Sequence, residues 1–225
     1  MKIAVISDIH SNQEALEAVL KEIGKEKADK IYCLGDIVGY GPSPNECIDL
    51  IKGATDKVVV GNHDSAVINQ TDMMLFNSYA RESTEWTRRM INDENYEYLL
   101  NLPLKISEHD LLFVHSTPLI PEDWNYILTQ HSAEKHFNYF TESACFIGHS
   151  HRPEMFRSVD NRLIVNVGSV GQPRDGNPKA SFVIWNTEEN EYELKRVEYD
   201  IKAVYKKVVK AGLNEFLGER LMVGR

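Results

Sequence analysis

Five short motifs hold the residues of this 225-residue chain best suited to chemistry. "SDIH" offers Asp8 and His10, and "GDIVGYG" offers Asp36. "GNHD" offers Asn62, His63 and Asp64, "LLFVH" His115, and "GHSH" His149 and His151. Each stands at the end of an apolar run. Taken singly, such a residue is ordinarily a turn, a helix cap or a hydrogen-bonded strand end. Taken together, every polar ending is Asp, Asn or His, which independent packing would not produce. Imidazoles, carboxylates and one amide carbonyl, with no thiolate, select divalent ions such as Mn, Fe, Co, Ni or Zn and argue against a structural zinc built on sulfur. The set is too large for one open catalytic ion and suits two ions sharing a bridge, for which Asp36 is the better-placed carboxylate. A pair of ions about 3.5–4 Å apart can orient a phosphoryl oxygen, lower the pKa of a bridging water and stabilise in-line displacement.

Charge supports that direction. The net charge is −9, with a pI near 5.4, which would repel a nucleic-acid backbone or an anionic membrane. Phosphate chemistry therefore needs positive charge added locally, and two divalent ions bring about four charges. Apolar content of 42% and charged content of 26% are those of an ordinary soluble globular protein. No apolar run reaches the length of a signal-peptide core or a membrane span. Cys33, Cys47 and Cys145 form no CxxC pair, and Cys33 and Cys145 sit in apolar runs as expected of buried free thiols. A cytoplasmic location is expected.

The elements that must position these residues alternate. "KIAVIS" reads as a strand. The following segment has Ala15, Leu16, Val19, Leu20 and Ile23 at helical spacing, with Ser11 or Asn12 as its cap. "KIYCLG" reads as a second strand and "SPNECIDLIKG" as a second helix, with Pro44 in its first turn and Gly53 past its end. "DKVVVG" reads as a third strand. Residues 65–102 read as helical, with Trp86, Met90, Tyr98 and Leu99 on the core side. "DLLFVH", "ACFIGH", "RLIVNVGS", "KASFVIWN" and "EYELKRVEY" read as strands, and about 200–216 as a final helix. The expectation is one α/β domain over 1–225 with its site at the carboxyl ends of the strands.

In this order, "DIH", "GDIVGYG", "GNHD", "VH" and "GHSH" resemble the five blocks of the calcineurin-like metallophosphoesterase superfamily, most closely its small bacterial and archaeal phosphodiesterase-type branch. The resemblance runs from Lys2 to about Trp185, and "NVGSVGQPRDGNP" is similar to the loop after the last histidine block. It implies a two-sheet β-sandwich flanked by helices. It implies one metal on Asp8, His10, Asp36 and His151, and a second on Asp36, Asn62, His115 and His149, with manganese foremost among the candidate ions. His63 would face the scissile phosphate as the catalytic residue, stabilising the transition state or protonating the leaving oxygen. Asp64 would orient His63 or cap a helix, and Arg174 would hold a phosphate oxygen or serve only as a turn residue. The implied activity is hydrolysis of a small phosphate ester, a diester before a monoester, by in-line attack of a metal-bound hydroxide. A phosphomonoesterase or protein phosphatase, and a non-catalytic scaffold of the same fold, are the alternatives; the ligand set a scaffold would not need is complete. The helical segments 65–102 and 118–142 are candidates for the pocket wall, with Trp124 and Tyr126 able to stack on a base or aryl group or simply to pack. Val167 and Ser116 depart from the resembled pattern at positions that set backbone shape.

Overall fold

The computed structural model describes the backbone of residues 1–225 and every side chain except that of Leu75. The chain opens with β1 (Lys2–Ile6) and α1 (Gln13–Glu26). Asn12 caps α1, its Oδ1 accepting the Ala15 N–H at 3.1 Å. β2 (Lys30–Cys33) and α2 (Pro44–Ala54) follow. Gly53 lies inside α2 instead of past its end. The helix is stopped by Thr55, whose extended backbone lets its hydroxyl reach Ile31 O at 2.6 Å. The expected strand "DKVVVG" is reduced to one parallel bridge between Cys33 and Val58: Val59 N–H still reaches Cys33 O, but the next N–H on that side, Gly61's, goes to Asp64 Oδ2.

Residues 65–102 are helical in pieces: α3 (Asn62–Val67), α4 (Ser78–Met90) and α5 (Asp93–Leu100). Leu99 is fully buried, but Met90 is 50% exposed, since α4 turns its small residues Ala80, Ser83, Thr84 and Thr87 inward. β3 (Lys105–Glu108) and β4 (Leu111–Val114) form a hairpin. Residues 118–142 hold one α-helix, α6 (Gln130–His136), with 3₁₀ turns on either side. Then come β5 (Ala144–Ile147), β6 (Glu154–Arg157), β7 (Leu163–Asn166), β8 (Ala180–Asn186) and β9 (Glu191–Val197). The expected final helix is two, α7 (Ile201–Lys210) and α8 (Phe216–Glu219), parted at Gly212 with its left-handed φ of 72°.

One sheet runs β2-β1-β8-β9 and the other β3-β4-β5-β7-β6. β1 and β2 are parallel, as are β4, β5 and β7. Strand alternation decides the layers. Ile3, Val5, Tyr32 and Trp185 face Phe113, Phe146 and Val165 across the sandwich, while Ala4 and Ile6 turn outward onto α1 and α2. On the far side, Val114, Cys145 and Ile147 meet Ala133 and Phe137. The result is two sheets flanked by helices. Among the described residues, no helix is long and apolar enough to cross a membrane.

Candidate metal centre

The parallel strands deliver their polar endings to one place. Asp8 and His10 follow β1, Asp36 follows β2, His115 follows β4, and His149 and His151 follow β5, while Asn62 and His63 open α3. Asp8, His10, Asp36, His149 and His151 all adopt left-handed φ, between 49° and 66°. Non-glycine residues rarely accept that region, and surrounding structure must hold them there. Here Asp36 O accepts the N–H groups of both Ile9 and His10 at 2.9 Å.

Two clusters form, sharing one carboxylate. His10 Nε2 lies 3.1 Å from His151 Nε2, and Asp8 Oδ1 lies 3.7 Å from the first and 3.3 Å from the second. His115 Nε2 lies 3.2 Å from Asn62 Oδ1 and 3.4 Å from Asp36 Oδ2. Asp36, His115 and His149 bring donor atoms within 4.8 Å of one another. Asp36 Oδ2 is also 3.6 Å from His10 Nε2, so one oxygen stands between the clusters.

Three imidazoles are aimed by main-chain carbonyls. The Nδ1 atoms of His10, His115 and His151 meet Val38 O at 3.1 Å, Leu34 O at 2.7 Å and Gln172 O at 2.6 Å. Those bonds place protons on Nδ1 and turn the Nε2 atoms inward. His149 is reversed, its Nε2 meeting Trp124 O at 2.8 Å, which leaves Nδ1 as its ligand atom. Each carboxylate is half satisfied. Asp8 Oδ2 accepts the His149 N–H and Asp36 Oδ1 the His63 N–H, but Asp8 Oδ1 and Asp36 Oδ2 are buried with no hydrogen-bond donor. Burial pushes the pKa values of His10 and His151 well below the ordinary histidine range. Their facing nitrogens thus present two lone pairs to one point. Burial raises Asp8 to about 6. Burial also works against charge on His115, but the Asp36 carboxylate prevails and lifts it to about 9. Orphaned carboxylate oxygens and converging lone pairs fit divalent cations.

His63 is placed differently. Its ring packs on Tyr40 and Phe76 at centroid distances of 4.6 and 4.8 Å. His63, His10 and Asp36 form a third trio of converging donors, yet His63 Nδ1 is buried without a partner and sits against the Gly39 backbone. That leaves Nε2 toward the cleft, where burial holds the ring neutral with a pKa near 4. Asp64 does not reach this imidazole. Its oxygens accept the Val38 and Gly61 N–H groups at 3.0 and 3.1 Å, so it ties the start of α3 to the Asp36 loop.

A cleft of about 230 Å³ opens over His63, Asn62 and His149, walled by Phe76, Trp124 and Arg174 among others. Tyr126 stacks on His149 at 4.1 Å, and Trp124 Nε1 donates to Thr71 Oγ1 at 3.0 Å, joining the two walls. Tyr40 and Phe76 were not singled out from sequence. Tyr40 stood inside the "GDIVGYG" motif; Phe76 gave no signal. Of the two departures noted above, Val167 donates its N–H to Ile147 O at 3.0 Å, which a proline could not do. Ser116 Oγ donates to Pro121 O at 2.7 Å and fixes the Trp124 loop.

A model of the calcineurin-like phosphoesterase superfamily domain matches residues 1–190. An uncharacterized protein of Methanocaldococcus jannaschii is 44% identical, with 99% of this chain and 98% of its own length aligned. The crystal structure of a metallophosphoesterase from Sphaerobacter thermophilus superposes with a TM-score of 0.88 at 38% identity, covering 100% of this chain and 99% of that one. A symmetrical bis(5′-nucleosyl)-tetraphosphatase of Haemophilus influenzae is 27% identical over 53% of this chain and 45% of its own length.

Proposed function

The chain belongs to the calcineurin-like phosphoesterase superfamily, and from that premise we propose that it is a dinuclear metal-dependent phosphoesterase that prefers diesters. The observation that carries the reading is the pair of buried, donorless oxygens, Asp8 Oδ1 and Asp36 Oδ2, met by imidazoles whose other nitrogens are already engaged. Asp8, His10, Asp36 and His151 would hold one ion, and Asp36, Asn62, His115 and His149 the other. Two divalent ions, manganese first among them, would supply Lewis acidity and a water of lowered pKa. His63 presents Nε2–H to the cleft and donates it to the phosphate as charge builds on its oxygens. The aromatic wall of Phe76, Trp124 and Tyr126 supports the diester preference, because it gives a second ester substituent an apolar surface to lie on. Against the scaffold alternative stand the residue types themselves, since the chain carries an Asp, Asn or His at every candidate ligand position and His63 beside them.

With manganese added, the protein is expected to release p-nitrophenolate from bis-p-nitrophenyl phosphate faster than from p-nitrophenyl phosphate. Chelated protein should release none. Protein carrying two metal equivalents by elemental analysis, yet inert to both esters, would refute the reading.

A further inference from the structure

Beside the metal cleft lies a wider groove of about 780 Å³, lined by Arg152, Arg174, Arg220 and Arg225. For a chain of net charge −9 this is an unusual concentration of positive charge. Among the described residues, the arginine ion pairs are Arg162–Asp160 and Arg196–Asp175; the four groove arginines have none. Asp175 on the rim is thus already taken, and Glu154 is the remaining carboxylate side chain of the lining.

Three of the four guanidiniums are held by nearby oxygens instead. Arg152 Nε donates to Arg174 O at 3.0 Å, Arg174 Nη2 to Gln172 Oε1 at 2.7 Å, and Arg220 Nε to Arg225 O at 2.5 Å. Each bond fixes a guanidinium and leaves further N–H groups to a ligand. Arg174 and Arg220 both lie over the Tyr40 ring, at 5.6 and 5.8 Å. Two like charges are so held together over one ring. One main-chain bond ties the groove to the candidate metal site, Arg174 N donating to His151 O, and another, Gly176 N to Gly224 O, joins the two sides of the groove. Arg174 lines both the groove and the metal cleft. Arg152 and Arg174 lie within the stretch 1–190 that matches the family domain, and Arg220 and Arg225 beyond it.

We propose that this groove is a second anion subsite, which takes a further phosphate of a substrate whose scissile phosphate occupies the metal cleft. The substrate class is then a small ester or anhydride bearing more than one phosphate, with Arg174 reaching both. The assignment rests on the phosphoesterase reading above. The chain's overall negative charge turns away a nucleic-acid polymer but not a compact polyphosphate.

Competition against bis-p-nitrophenyl phosphate at fixed free manganese tests it, with orthophosphate and inorganic tripolyphosphate as inhibitors. Tripolyphosphate should inhibit the native protein at least about tenfold more strongly than orthophosphate. In the Arg152→Gln/Arg225→Gln variant, both side chains being exposed, that advantage should shrink toward parity, and the Lys counterparts should restore part of it. Bis-p-nitrophenyl phosphate turnover and orthophosphate inhibition should not change. An equal advantage in native and variant protein would overturn the subsite and leave the phosphoesterase reading standing; failure to turn over bis-p-nitrophenyl phosphate would overturn that reading.

Discussion

His63 differs from its imidazole neighbours in what its nitrogens touch. The ligand rings spend one nitrogen on a main-chain carbonyl, whereas His63 has one sealed against Gly39 and one facing the cleft. Replacing it with alanine should lower kcat by about 10²–10⁴-fold while bound metal, read by elemental analysis, stays at the native level. Native-like turnover in that variant would remove His63 from the mechanism. Gly148 is the converse case, a residue without chemistry on which the ligands depend. A Cβ there would lie 2.0 Å from Ser7 Oγ and 2.5 Å from Asp8 Oδ2. Gly148→Ala should therefore displace Asp8 and lower metal occupancy, with a stability loss of roughly 1–3 kcal/mol from overpacking. The polar residues of the candidate site stood out in sequence because Asp, Asn and His can all ligate a divalent ion and recur at the ends of the apolar runs. Tyr40 and Phe76 were not, because an aromatic ring beside a ligand has the same sequence signature as one in the core. The two roles offered for Asp64 could be separated only by seeing that its oxygens accept the Val38 and Gly61 N–H groups.

Elements were legible where both faces of a strand are buried. β1, β4, β5, β7 and β8 are continuous apolar runs because helices cover one face of each sheet and the partner sheet the other. β3 and β6 lie at the edges of their sheet, and their mixed, partly exposed residues carry no such signal. "DKVVVG" misled for the opposite reason: it has strand composition, but after a single bridge the next N–H facing β2, that of Gly61, goes to the Asp64 carboxylate. Burial also sets what each side chain is worth. Phe113 is fully buried and stacks on Tyr32 of the facing sheet at 3.8 Å, so Phe113→Ala should cost about 3–5 kcal/mol in denaturant unfolding. Met90, half exposed at the end of α4, should tolerate alanine within about 0.5 kcal/mol. Comparable losses in the two variants would mean that the sheet-on-sheet layer does not carry the core.

At the scale of the whole molecule, the candidate metal centre is a joint between the two sheets. Asp8, His10 and Asp36 come from the ends of β1 and β2, while His115, His149 and His151 come from the ends of β4 and β5. The joint brings Asp36 Oδ2 within 3.4 Å of His115 Nε2 and sets His10 and His151 nitrogen to nitrogen at 3.1 Å. Ions that bind the folded chain and not the unfolded one must therefore raise its stability by mass action. One site at a hundredfold its Kd contributes about 2.7 kcal/mol, which for a chain of this size raises Tm by roughly 5–11 °C. Exhaustive chelation should lower Tm in calorimetry by that order, and manganese should restore it. Calcium, which prefers oxygen-rich sites, should restore much less against this imidazole-rich set. An unchanged Tm after verified metal removal would mean that the two sheets close without the ions, and that the strained left-handed ligand turns are held by main-chain bonds alone.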